Sequence, residues 1–138
     1  ILGLRENKLK ITQEIKEVID NIHKADILIY GIGEALVMAD KRDVSEDEYN
    51  KLKSLEAVGE AFGCYFNKES KVVSENTSIG ININEARKIN THIAVAAGEN
   101  KVDAIIATMR NNHNAVLVTD EAAGRKIVEY IKEHNENA

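Results

Sequence analysis

Proline is absent from all 138 residues, and cysteine occurs once. Without proline nothing suggests a stiff interdomain spacer, and no repeat, low-complexity tract or linker interrupts the chain. A lone Cys64 excludes an internal disulfide framework, which agrees with a reducing, cytoplasmic setting. Long apolar runs are also missing. None approaches the ~20 residues that span a bilayer, and no signal-peptide pattern opens the chain, so no membrane partner is expected. Four histidines (His23, His92, His113 and His134) are scattered without ligand spacing, which supports no zinc site, and no other cofactor is implied. Positive charge is in deficit: a net charge of −5 argues against this segment gripping a nucleic-acid backbone by itself.

What remains is 43% hydrophobic and 30% charged, the balance of one globular, soluble domain. A chain of this length can bury ~two-thirds of its unfolded surface. It begins at Ile1, directly in amphipathic sequence, and reads as a piece of something longer.

Ile11, Ile15, Val18, Ile19 and Ile22 form the apolar stripe of a helix over about Ile11 to Lys24. Ile27–Tyr30 follows as a short, nearly all-apolar strand of the kind covered on both faces. Gly31-Ile32-Gly33 ends it and opens a helical stretch from Glu34 to about Asp40. Ser45 and Glu48 have capping-box spacing, and the helix they start carries Tyr49, Leu52 and Leu55 on one face. Glu60–Phe66 reads as a connection followed by a strand, and Asn67–Ser70 turns into a partner strand at Lys71–Val73, a small β-hairpin. Residues 77–83 are expected to add a strand, Asn84 to cap a brief helix through Lys88, and residues 133–138 to fray.

The richest stretch is residues 93–121. An apolar strand, Ile93–Ala97, empties into Gly98, a lysine-bearing helix spans Lys101–Arg110, and a second strand, Ala115–Val118, leads through Thr119-Asp120-Glu121 into a last helix to His134. Val102, Ile105, Ile106 and Met109 mark the buried face of the first helix; Ala123, Ile127, Val128 and Ile131 mark that of the second. Such an order builds a parallel α/β sheet. With right-handed crossovers it gathers three strand-to-helix junctions on one edge, at Gly31–Glu34, Gly98–Lys101 and Thr119–Glu121, where open sheets of this kind bind ligands.

Each candidate residue there has two readings. Lys101 in a first helical turn opposes the macrodipole, so it is either a solvated lysine or the partner of a bound anion sharing that helix start. Gly31 and Gly33 lack the third glycine of a dinucleotide motif; they make a tight turn, or a turn whose bare backbone admits a ligand. Lys41-Arg42 is a solvated pair or a second anion clamp. Glu60 lies between Gly59 and an aromatic-glycine turn, where it is a surface glutamate, an acceptor for two sugar hydroxyls or a general base. Asp120-Glu121 reads foremost as a helix cap. Cys64 reads as packed in a strand, with no histidine partner for nucleophilic work.

The words Gly31-Ile32-Gly33-Glu34-Ala35, Glu60-Ala61-Phe62-Gly63, Ile93-Ala94-Val95-Ala96-Ala97-Gly98 and Leu117-Val118-Thr119-Asp120-Glu121-Ala122-Ala123 keep an order and spacing over about Ile11 to Ile131. In these the chain resembles the effector-binding domain of SorC/DeoR-like sugar-responsive transcription regulators, most of all those that govern glycolytic genes. The resemblance implies a three-layer α/β domain, a mostly parallel sheet with helices on both faces, related to phosphosugar isomerases and CoA-transferases. It also implies a homo-oligomer and a phosphorylated sugar, such as fructose 1,6-bisphosphate, as inducer. Glu60 would then bind sugar hydroxyls, Lys101 a phosphate, and Lys41 would stand where an arginine is usual, with Gly31, Gly33 and Gly98 lining the site. Neither a helix-turn-helix nor the family's glycine-threonine phosphate loop occurs here. Residues 1–138 therefore resemble the C-terminal part of the effector domain, which would touch DNA only through a domain not present in this chain. The open sheet of such a part invites pairing, and its own ligand binding is expected to be weak or absent. The rival is an enzyme of the same fold, an isomerase or deaminase with Glu60 as base.

Overall fold

The computed structural model describes residues 12–75, 81–110, 112 and 115–135. Thr12, whose hydroxyl accepts the Ile15 N–H, starts α1 (Gln13–His23); the expected first residue of that helix, Ile11, lies outside the described residues. Strand β1 (Ile27–Gly31) is followed without a loop by β2 (Gly33–Glu34) and α2 (Ala35–Lys41). Ser45 accepts the Glu48 N–H and starts α3 (Glu46–Ser54), where Leu52 is fully buried. Three antiparallel strands follow: β3 (Ala57–Ala61), β4 (Cys64–Asn67) and β5 (Val72–Glu75). The short α4 (Ile83–Ala86) is capped by Asn82 rather than Asn84, because the Asn82 carboxamide accepts two N–H groups while Glu85 reaches back to the Asn82 N–H. Of the expected strand over residues 77–83, residues 77–80 lie outside the described set and Ile83 is helical. Then come β6 (Thr91–Val95), a 3-10 turn (Glu99–Lys101), α5 (Val102–Met109), β7 (Ala115–Val118) and α6 (Glu121–Asn135), the expected order of the C-terminal half. Residues 136–138 of the expected fraying end lie outside the described set; 133–135 are still helical.

The parallel sheet is ordered β1-β6-β7, so the expected α/β architecture is present. Its covered face carries Tyr30, Ala94 and Leu117, packed against Val102, Ile105 and Ile106 of α5 and Ala123 and Ile127 of α6. Among the described residues, the opposite face carries several exposed apolar side chains. Ile29 is 66% exposed and Val116, in register with it two strands away, 58%, with Ile27, Val95 and Val118 also exposed. Helices on both faces were expected; among the described residues they cover one. Val128 and Ile131 of α6 are exposed as well, since only the first turns of that helix reach the core, and α1 buries no residue.

The second sheet exceeds a hairpin. It is antiparallel, ordered β2-β3-β4-β5, with Gly33 opposite Glu60 and Ala61 opposite Cys64. Glu60 thus sits inside a strand, not in a connection: the two residues Phe62 (φ 57°) and Gly63 (φ 76°) suffice to turn β3 into β4. Two successive positive φ values give a turn of the hairpin-favouring twist. The left-handed Phe62 is held by its ring, 4.2 Å from that of Tyr30. Ala35, Ala39 and Leu52 cover one side of this sheet, and α5 lies on the other through Ala107.

Helix α5 is therefore wedged between both sheets, and its buried residues (Val102, Ala104, Ile105, Ala107 and Thr108) run round most of its surface, not along the one expected stripe. Its approach to β3 requires glycine: a Cβ on Gly59 would meet the Ala104 carbonyl oxygen at 2.9 Å and its Cα at 3.0 Å. Three short ties then lock the strand ends together. Ile32 N–H donates to the Val95 carbonyl (3.3 Å), Asn100 to Glu34 Oε1 (2.5 Å), and Gly98 N–H to Asp120 Oδ2 (2.9 Å). Asp120 Oδ1 also accepts the Ala123 N–H at 2.9 Å, capping α6 as expected.

Two stability changes are expected. Gly59→Ala forces backbone against backbone and should cost about 1–3 kcal/mol in urea unfolding, with the denaturant slope unchanged. Asp120→Ala removes both a helix cap and the tie to Gly98 and should cost about 1–2 kcal/mol; Asp120→Asn, which keeps one acceptor oxygen for two N–H donors, should restore the cap or the tie but not both.

Candidate functional site

Two of the local patterns above decide where Glu60 points. The Phe62-Gly63 turn presents the Gly63 N–H to Glu60 Oε1 at 2.8 Å, and the end of α2 delivers Arg42, whose guanidinium reaches the same oxygen at 3.0 Å. A second guanidinium nitrogen lies 3.4 Å from the hydroxyl of Tyr65, the residue opposite Glu60 in the sheet. Glu60 is 4% exposed, so it is not a surface glutamate. Burial acts to lower the Arg42 pKa, but the Glu60 charge, with help from Tyr65, outweighs it and holds the guanidinium above its ordinary value. A buried carboxylate of this kind needs a cation and hydrogen bonds to be tolerated, and both are supplied locally.

Arg42 is the residue that sequence reasoning missed. It stood beside Lys41 as one half of a solvated or anion-clamping pair. In the structure Lys41 ends α2 exposed to solvent, while Arg42, one residue on at the C-cap, turns inward. The available signal was the pairing rule itself: Glu60 lay in a Gly-Glu-Ala-Phe-Gly run too apolar for a solvated carboxylate, which demanded a basic partner.

The expected convergence of the three junctions is present through the ties already described. Gly31 ends β1; Gly33 is paired with Glu60; Gly98 adopts φ 104°, which a side chain would strain. Lys101 ends the 3-10 turn next to Asn100, the residue bonded to Glu34, and so shares the strand-end region with Gly33 and, one strand over, Glu60. Among the described residues its ammonium has no ion-pair partner, whereas neighbouring Glu99 is paired with Lys126 at 2.5 Å. The Gly98 N–H is committed to Asp120, so this turn offers less bare backbone than its glycine suggests.

Cys64 is buried in β4, and burial, then the Glu75 and Glu60 carboxylates, pushes its thiol up to about 11. It stays a protonated thiol at neutral pH, the opposite of an activated nucleophile. Among the described residues no group of three or more His, Cys, Asp or Glu side chains is arranged to hold a metal, and no helix is long and apolar enough to cross a membrane.

The chain is 41% identical over 114 residues to the central glycolytic genes regulator of Bacillus subtilis, an alignment covering 83% of this chain and 34% of that protein. The namesake from Priestia megaterium is 39% identical over the same length, with 33% of it covered. The chain thus spans about a third of the length of these two curated relatives. Among solved structures, a "putative SorC family transcriptional regulator" from Enterococcus faecalis superposes with a TM-score of 0.81 at 39% identity, covering 85% of this chain and 48% of that one. A transcriptional regulator from Streptococcus pneumoniae gives 0.75 at 26% identity, covering 96% and 55%. These relatives are named as regulators, and the two solved structures share the α/β arrangement described above. The family model described as "Putative sugar-binding domain" matches residues 4–129, nearly the whole chain, and the chain belongs to that family.

Proposed function

We propose that this chain is the ligand-sensing, non-catalytic part of a sugar-responsive transcription regulator, and that its ligand is a phosphorylated sugar. The observation that carries the reading is the junction of strand ends: three turns are hydrogen-bonded into one edge, with the Glu60 carboxylate on one side and, on the other, the Lys101 ammonium, which has no ion-pair partner among the described residues. A carboxylate accepts from sugar hydroxyls, and an ammonium meets a phosphate as a point charge. Fructose 1,6-bisphosphate is the first ligand to try, on the strength of the resemblance to regulators of glycolytic genes. Lys41, exposed at the end of α2, is the candidate for a second phosphate contact, and Gly31, Gly33 and Gly98 line the approach. DNA would be read by a domain outside this chain, the regulator would work in the cytoplasm as a homo-oligomer, and ligand binding would weaken its grip on the operator.

The isomerase or deaminase reading needs a second acid or a histidine facing Glu60. What faces it is Arg42 and a backbone N–H, an arrangement suited to holding a carboxylate still rather than to passing a proton. Incubating the full-length regulator with hexose phosphates should therefore give no turnover; appearance of an isomerised or deaminated product would replace this reading with an enzymatic one.

Lys101→Ala in the full-length regulator should leave operator binding intact and abolish release by fructose 1,6-bisphosphate in a gel-shift titration. The lost charged contact should cost on the order of 1.5–3 kcal/mol, roughly ten- to a hundred-fold in affinity. Unchanged release would make Lys101 ordinary surface charge. The isolated 138-residue chain should bind the same ligand weakly or not at all in calorimetric titration.

A further inference from the structure

Glu60 spends one oxygen on the protein and leaves the other open. Oε1 takes both the Gly63 N–H and the Arg42 guanidinium. Oε2 has no hydrogen-bond partner among the described residues, and the Glu60 side chain keeps 5% of its surface exposed. A pair serving stability alone is better made as a fork, two parallel N–H···O bonds that satisfy both oxygens at once. Arg42 does not do this. It divides its nitrogens between Glu60 Oε1 and the Tyr65 hydroxyl, so the carboxylate is gripped from one side only.

We infer that Arg42 is a positioning residue for the ligand: by clamping Oε1 it fixes the Glu60 carboxylate so that Oε2 faces outward as a hydrogen-bond acceptor for sugar hydroxyls. The inference rests on the sugar-phosphate reading above. It gives the clamp three parts with separate duties. The Gly63 N–H sets the height of the carboxylate over the β3–β4 turn, the Arg42 charge holds it against loss of water, and the Tyr65 hydroxyl keeps the guanidinium from rotating into a two-oxygen fork. Arg42 itself need not touch the sugar. Its effect belongs to the hydroxyl half of the ligand, whereas that of Lys101 belongs to the phosphate half.

The test uses the full-length regulator with two probes, fructose 1,6-bisphosphate and inorganic phosphate, which has the charge without the hydroxyls. Calorimetric titration of Arg42→Gln should show about ten-fold weaker binding of the sugar bisphosphate and unchanged binding of phosphate. Glu60→Gln should behave alike, and the double variant should be no weaker than Glu60→Gln alone, since both changes remove one unit. If Arg42→Gln yields no folded protein, Arg42→Lys carries the same expectation, because it keeps a cation and loses the divided fork. Equal weakening for both probes would reduce Arg42 to a structural residue and overturn the inference, as would losses that multiply in the double variant. Wild-type protein that binds phosphate but gains nothing from the sugar would fail the sugar-phosphate reading itself, and the role of Arg42 with it.

Discussion

The close contact between Gly59 and the backbone of α5 is the constraint on which the arrangement depends. A helix apolar over most of its circumference must be buried on most sides, and α5 meets that demand by lying between a parallel and an antiparallel sheet. It can do so only because small residues face one another: Ala104 and Ala107 on the helix, and Gly59 on β3. Larger side chains at these places would separate the two sheets. Their separation matters because the candidate site straddles them, with Lys101 at the head of α5 and Glu60 beside Gly59.

The same wedge explains how a chain with so little basic charge can hold a buried carboxylate. Strand β3 is pressed between α5 on one side and α2 on the other, so Glu60 emerges among residues that exclude water. The end of α2 then places a guanidinium where a carboxylate without water needs one. The charge is neutralised locally, and the cost of burial is offset by one backbone hydrogen bond and one ion pair to a single oxygen.

Much of this was legible from spacing alone. The C-terminal half was, because strand, glycine turn and helix follow one another with strong apolar periodicity, and parallel topology brings their turns together. The antiparallel sheet was only half legible. Gly33-Glu34 is two residues long, too short for period-two alternation to register, and the sheet recruits it only because Glu60 pairs with Gly33 across space. The cap of α4 went to Asn82 because it has Glu85 at the right offset, a competition between two similar asparagines that local propensity does not rank. Val128 and Ile131 continue a helical stripe yet stay exposed, since periodicity tells which side of a helix is apolar and not whether anything lies against it. Arg42 escaped notice for a related reason: the choice between two adjacent basic residues depends on the angle at which a helix ends.

One carboxylate, that of Asp120, grips two different parts of the molecule, the amide of the glycine turn and the amide of Ala123 in the first turn of α6. An anion arriving at that turn would compete with Asp120 for the same proton. To win, it must pull one arm of the carboxylate away and loosen the other, so that occupancy at the sheet edge would be felt at the root of α6 through a lever only one residue long. The message would travel from Gly98 to α6 along that one side chain.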